Sequence, residues 1–222
     1  MIEVILDTET TGLSVKDGHR IVEIGCIELK DLIPTKKKFH CYLNPERKVS
    51  EDALKIHGYT DDFLSTQKKF IDVVDEFLKF IEGKRLVIHN AEFDISHLNN
   101  ELLLVGKDKI NHEIIDTLQL AREKFPGSGT SLDALCKKYN IDNSKREKHN
   151  AVMDCELLSK VYINLLDQKE PTLKLNVDKD FENKLELSAN VKYFKKVVKP
   201  TEEELKYHKE YLKKELKKNF FN

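Results

Sequence analysis

Ile2-Glu3-Val4-Ile5-Leu6-Asp7-Thr8-Glu9 is nearly continuous in apolar residues until it meets two acids. A short apolar run of this kind reads as a buried strand near the centre of a sheet. Side chains two apart share one face of a strand, so Asp7 and Glu9 project together at its end. Two adjacent carboxylates repel, and one takes up a proton unless a cation compensates. A hard divalent ion with oxygen ligands is the natural compensator. Taken alone, Asp-x-Glu is equally compatible with a strand that stops early and leaves both acids in water.

Outward from this strand, the pattern predicts further strands over 19–30, 37–43, 85–89 and 113–116, with Pro34 and Pro45 bracketing the third. Helices are predicted over 51–57, 92–105, 118–125, 131–139 and 151–166. Another is predicted where Phe70, Val73, Val74, Phe77, Leu78 and Ile81 fall at helical spacing before Gly83. Three strands followed by helices interleaved with two more give an α/β fold with a mixed five-stranded sheet flanked by helices and a C-terminal extension.

Lys+Arg is 38 and Asp+Glu is 39 over 222 residues, which argues against a binder that grips phosphate by bulk positive charge. The charge is unevenly placed. Residues 1–167 hold 24 basic and 29 acidic side chains, and residues 168–222 hold 14 and 10. An acidic body therefore carries a basic tail, with a linker expected around Gln168-Lys169-Glu170-Pro171. Cys26, Cys41, Cys136 and Cys155 form no C-x-x-C pair, and reduced thiols packed in the core are expected. No basic segment precedes the first apolar run and no run approaches a membrane span, so a cytoplasmic protein is expected.

Two further segments share one pattern. His89-Asn90-Ala91-Glu92-Phe93-Asp94 follows the apolar strand Leu86-Val87-Ile88, with Asn90 placed as a helix cap and Asp94 in the first turn. His149-Asn150-Ala151-Val152-Met153-Asp154 repeats it. There Asp154 lies on the stripe Ala151, Asp154, Leu158, Val161 and Leu165, the face that otherwise points to the core, so its carboxylate needs a partner. Four acids at element ends, Asp7, Glu9, Asp94 and Asp154, can meet in one crevice at the edge of an α/β sheet. Two divalent metal ions about 3.5–4 Å apart, Mg²⁺ or Mn²⁺, would make that gathering tolerable. His149 is then the group able to accept a proton near neutral pH, and the set suits phosphodiester hydrolysis.

Asp7-Thr8-Glu9-Thr10-Thr11-Gly12 and the two His-Asn-Ala segments resemble, in order and spacing, the three motifs of the DEDDh (DnaQ-like) 3′→5′ exonuclease family. The resemblance covers about residues 1–167. It implies a ribonuclease-H-like fold with Asp7, Glu9 and Asp154 as metal ligands, Asp94 completing the acidic set and His149 as general base. Glu51 to Gly58 resembles the family's nucleotide-contacting stretch, which implies that His57 contacts the terminal nucleotide, with Asp52 where replicative members often carry Glu. Thr10, Leu13 and Phe93, together with Glu9 and Asp154, complete the implied substrate contacts, Leu13 and Phe93 by packing on the terminal base.

The tail Lys199-Pro200-Thr201-Glu202-Glu203-Glu204 resembles that of the proofreading subunits of bacterial DNA polymerase III. Thr201 and Glu204 form a capping box, and Leu205, His208, Leu212 and Leu216 form a narrow apolar stripe. The resemblance implies docking of residues 168–222 on the polymerase III alpha subunit, and 168–175 lies where a sliding-clamp motif is carried. The expected substrate is the frayed or single-stranded 3′ end of DNA, cut to nucleoside 5′-monophosphates. Two rivals stay open: a stand-alone DEDDh RNA exonuclease of the oligoribonuclease or RNase T sort, and a non-catalytic assembly subunit.

Overall fold

The computed structural model describes residues 1–144, 146, 148–167 and 199–214. Strands β1 (Ile2–Thr10), β2 (Ile21–Lys30), β3 (Ile33–Tyr42), β4 (Arg85–Ile88) and β5 (Ile114–Asp116) form one sheet in the order β3-β2-β1-β4-β5. β1, β2 and β3 run antiparallel, while β4 and β5 lie parallel to β1 and to each other. The helices are α1 (Glu51–His57), α2 (Asp61–Ser65), α3 (Phe70–Ile81), α4 (Ala91–Leu104), α5 (Thr117–Lys124), α6 (Leu132–Tyr139), α7 (Ala151–Leu165) and α8 (Glu202–Lys214). Two compact units are present, Met1–Thr172 and Leu173–Asn222. The first holds the sheet and α1 to α7; the described part of the second is α8 and the three residues before it.

The alternation in β1 builds two cores. Val4 and Leu6 face the side packed by Val73 and Phe77 of α3 and Leu98 and Leu102 of α4. Ile5 faces the other side, against Ala121, Leu135, Leu158 and Val161 of α5, α6 and α7. Period two therefore carries Asp7 and Glu9 to the α7 side, once the strand clears its apolar run. β1 continues through both acids to Thr10, with a bulge between Glu9 and Thr10.

α7 reaches this face because Gly25 of β2 pairs with Asp7 and lacks a side chain. A Cβ there would lie 2.6 Å from the Ala151 carbonyl carbon and 2.8 Å from the Val152 nitrogen. Backbone of the first turn of α7 cannot yield as a flexible side chain would. Gly25→Ala is accordingly expected to push that turn off the sheet. Stability should fall by about 1–3 kcal/mol and activity by on the order of 10²-fold, read by urea melts and 3′-end trimming.

Three local readings need correction. β3 begins at Ile33 and contains Pro34, which pairs opposite Leu29; a proline is tolerated because β3 is an edge strand. Asn90 does not cap α4 with its side chain but adopts φ 68° in the left-handed region, which asparagine tolerates. The short helix α2 was not foreseen. Asn150 does cap α7, accepting from the Met153 nitrogen. All four cysteines are free thiols, three of them buried. No helix among the described residues is long and apolar enough to cross a membrane.

Candidate active site

The C-terminal ends of β1 and β4, the start of α4 and the start of α7 open into a cleft of about 620 Å³ lined by Asp7, Glu9, Asp94, His149 and Asp154. Asp7 and Glu9 enter from β1, Asp94 from the first turn of α4, Asp154 from the first turn of α7, and His149 from the loop before it. An adjoining cleft of about 400 Å³, sharing Thr8, Glu9, Ile56 and Phe93 with the first, is lined by Thr10, Leu13, Asp52 and His57. Each residue named from the sequence as a metal, catalytic or nucleotide contact thus borders one of two clefts that share four lining residues.

The electrostatics are those of crowded, buried acids. Burial pushes the Asp7 carboxyl well up, reinforced by Asp94, Glu9, Asp154 and Glu23. Glu9 is pushed up to about 8, first by burial and then by Asp154, Glu23 and Asp94. Asp94 is raised to about 7 by burial, although the Thr8 amide at 2.9 Å and hydroxyl at 2.7 Å both donate to its Oδ1 and pull it down. Ligand atoms of Glu9, His149 and Asp154 lie within 4.8 Å of one another. His149 Nδ1 is 3.5 Å from Asp154 Oδ2 and 3.9 Å from Glu9 Oε1. Burial and the nearby Arg146 guanidinium lower the His149 pKa, which favours the neutral imidazole. Three donors of this kind, beside two further acids whose pKa values burial raises, fit a divalent cation.

Three supporting residues were not read from the sequence. Arg146 forms two parallel bonds to Asp154, Nε to Oδ1 at 2.5 Å and Nη2 to Oδ2 at 2.8 Å, and its Nη1 donates to Asp133 at 2.9 Å. Asp116, at the end of β5, accepts from the Asn90 and Ala91 amides and so takes the capping role at α4 that Asn90 was expected to fill. Glu23, wholly buried in β2, accepts from Asn150 Nδ2 at 2.8 Å, Tyr59 Oη at 2.8 Å and the Ala151 amide at 3.0 Å, and pairs with His40 at 2.8 Å. It ties down the first turn of α7 and adds negative charge behind the cleft. A lone acid inside Ile21-Val22-Glu23-Ile24 was the available signal for it.

A family model described as "Exonuclease" matches residues 4–162. The chain belongs to the exonuclease family. It is 48% identical over 220 residues to the DNA polymerase III subunit epsilon of Rickettsia typhi, an alignment covering 96% of each chain. It is 47% identical over 169 residues to the subunit of the same name from Salmonella typhimurium, covering 72% of this chain and 70% of that one. The fold is similar to exonuclease X in complex with 5′-overhanging duplex DNA, at TM-score 0.59 and 26% identity, covering 75% of this chain and 92% of that one. It is also similar to the nuclease domain of 3′hExo, described as a DEDDh family member bound to rAMP. That match has TM-score 0.66 and 19% identity, covering 76% of this chain and 92% of the other. In this exonuclease the ring nitrogens of His57 are both engaged by backbone: Nδ1 accepts from the Tyr59 amide at 2.9 Å and Nε2 faces the Thr10 carbonyl at 3.3 Å. Leu13, by contrast, is 82% exposed at the rim of the smaller cleft.

Proposed function

We infer that this exonuclease is the proofreading subunit of a bacterial DNA polymerase III. It would remove nucleotides from the 3′ ends of DNA and release nucleoside 5′-monophosphates. The observation that carries the chemistry is the convergence of Asp7, Glu9, Asp94, Asp154 and His149 on one cleft. The replicative role rests on identity of 48% along nearly the whole of both chains.

Asp7, Glu9 and Asp154, with Asp94 completing the set, would hold two divalent ions, Mg²⁺ or Mn²⁺. Bound there, the ions supply a lowered pKa for water and charge neutralisation at the phosphodiester. The protein's own contributions are distinct. Thr8 holds Asp94 in place through two hydrogen bonds. His149, its neutral form favoured by burial and Arg146, accepts the proton of the attacking water as general base. Leu13 and Phe93 offer apolar surface to the terminal base. His57 and Thr10, bonded to each other, form the wall beside them, and Asp52 stands at the exposed rim. A mispaired 3′ end is cheaper to unpair than a matched one, so access to the cleft favours errors.

We propose 1–167 as the exonuclease domain and 168–222 as the tail that binds the polymerase alpha subunit. Support comes from α8, where the Thr201 amide donates to Glu204 Oε2 at 2.7 Å and the Glu204 amide donates to Thr201 Oγ1 at 3.3 Å, the expected capping box. Leu205, Tyr207 and Tyr211 are exposed along α8. The clamp-binding segment 168–175, like Leu216, lies outside the described residues. As a polymerase subunit the protein would work in the cytoplasm, at the nucleoid.

Trimming of matched and 3′-mismatched DNA primers, and of RNA of the same sequence, tests this reading. Metal-dependent preference for the mismatched DNA is expected, with His149→Gln lowering kcat by about 10²–10⁴-fold. Preference for RNA would support the stand-alone RNA exonuclease instead, metal-independent trimming would overturn the metal-dependent reading, and absent trimming would overturn the enzymatic one. Pull-down of the alpha subunit by the full chain, lost on deletion of 168–222, tests the tail.

A further inference from the structure

Arg146 lines the same cleft but belongs to none of the three motifs, and a role for it there rests on the metal-dependent reading above. Its side chain is only 7% exposed, in a loop otherwise rich in lysine. Nε and Nη2 take both oxygens of Asp154, and Nη2 also lies 3.0 Å from His149 Nδ1. A guanidinium can only donate, so His149 Nδ1 is the acceptor and its lone pair is occupied. One cation therefore holds a carboxylate that an ion would need and the nitrogen that would take a proton. Asp133 holds the same guanidinium from the far side at 2.9 Å.

We propose that Arg146 is the resting-state counter-cation of the catalytic cleft, compensating Asp154 and capping His149 until a divalent ion displaces it. Without Arg146, Asp154 would be a buried carboxylate among Asp7, Glu9 and Asp94, which is strongly unfavourable. With it, an incoming dication meets a positive charge already paired with one of its ligands. Ion binding therefore involves an exchange: the bidentate Asp154 pair opens and His149 Nδ1 becomes free, while Asp133 keeps the guanidinium nearby. The ion-free protein is thus held folded with its base blocked, and the ion releases the base as it binds.

The test is calorimetric titration of the full chain with Mn²⁺, together with melting in EDTA and in saturating Mn²⁺. Wild type should bind Mn²⁺; if it binds none, the metal reading itself fails. Arg146→Gln should bind Mn²⁺ about tenfold more tightly than wild type. It should melt several degrees lower in EDTA and recover in Mn²⁺. Arg146→Lys, which keeps the charge but cannot make both parallel bonds, should fall between the two in affinity and remains informative if the glutamine variant does not fold. Wild-type Mn²⁺ binding with unchanged or weaker binding in the variants would overturn the proposal while leaving the metal reading intact.

Discussion

Asp7→Asn is expected to abolish 3′-end trimming while making the metal-free protein more resistant to heat. Asp7 lies at the centre of the acidic cluster, its carboxyl raised by burial and by Asp94, Glu9, Asp154 and Glu23. An amide of the same shape keeps the packing and removes the charge that an ion requires. Loss of ion-dependent charge stabilisation at the phosphodiester is expected to lower kcat by at least about 10³-fold. Relief of repulsion should stabilise the ion-free fold by about 1–2 kcal/mol, raising Tm in EDTA by roughly 2–8 °C for a chain of this size. Activity and Tm moving in opposite directions mark a functional charge, because a residue needed only for packing would lower both. A variant that stays active, or that melts lower in EDTA, would contradict the account.

The second large effect is on pH dependence. Glu9 is raised from 4.5 to about 8 and Asp94 from 3.8 to about 7, each first by burial. An acid whose folded pKa exceeds its unfolded value binds more protons in the folded state, so stability falls as pH rises. That contribution is fully present below the unfolded values near 4 and is lost as pH rises through about 7 to 8. Urea melts in EDTA should therefore show stability declining between pH 5 and pH 8.5, by on the order of a few kcal/mol. Saturating Mn²⁺, which favours the ionised carboxylates, should flatten or reverse that slope. A metal-free protein whose stability rises over this window would show that the acids are not crowded as described.

Much of this arrangement was legible in the residues because local patterns happen to coincide with long-range ones. The apolar run ending in Asp7 and Glu9 places a strand and its acids together, and period two alone carries both to the face of α7. The acid on the apolar stripe of α7 announces a carboxylate that must find company. α1 spans Glu51–His57 as expected because Ser50 caps it, accepting from the Ala53 amide, and Gly58 closes it at φ 80°. What escaped detection depends on partners far along the chain. Asp116 caps a helix that begins 25 residues earlier, so nothing near Asn90 signals it. Arg146 sits in Lys145-Arg146-Glu147-Lys148, which reads as solvated surface until the loop folds it onto Asp154. Pro34 looked like a strand boundary because a proline interrupts a central strand; that β3 is an edge strand is a property of the whole sheet.

The central claim is that Asp7, Glu9, Asp94 and Asp154 are gathered to hold divalent cations, and anomalous diffraction from a crystal grown with Mn²⁺ tests it most directly. The account predicts manganese peaks bonded to carboxylate oxygens of Glu9 and Asp154, with Asp7 sharing them and His149 beside them. Peaks absent from this cleft at saturating Mn²⁺, with the four acids paired only to protein groups, would contradict it.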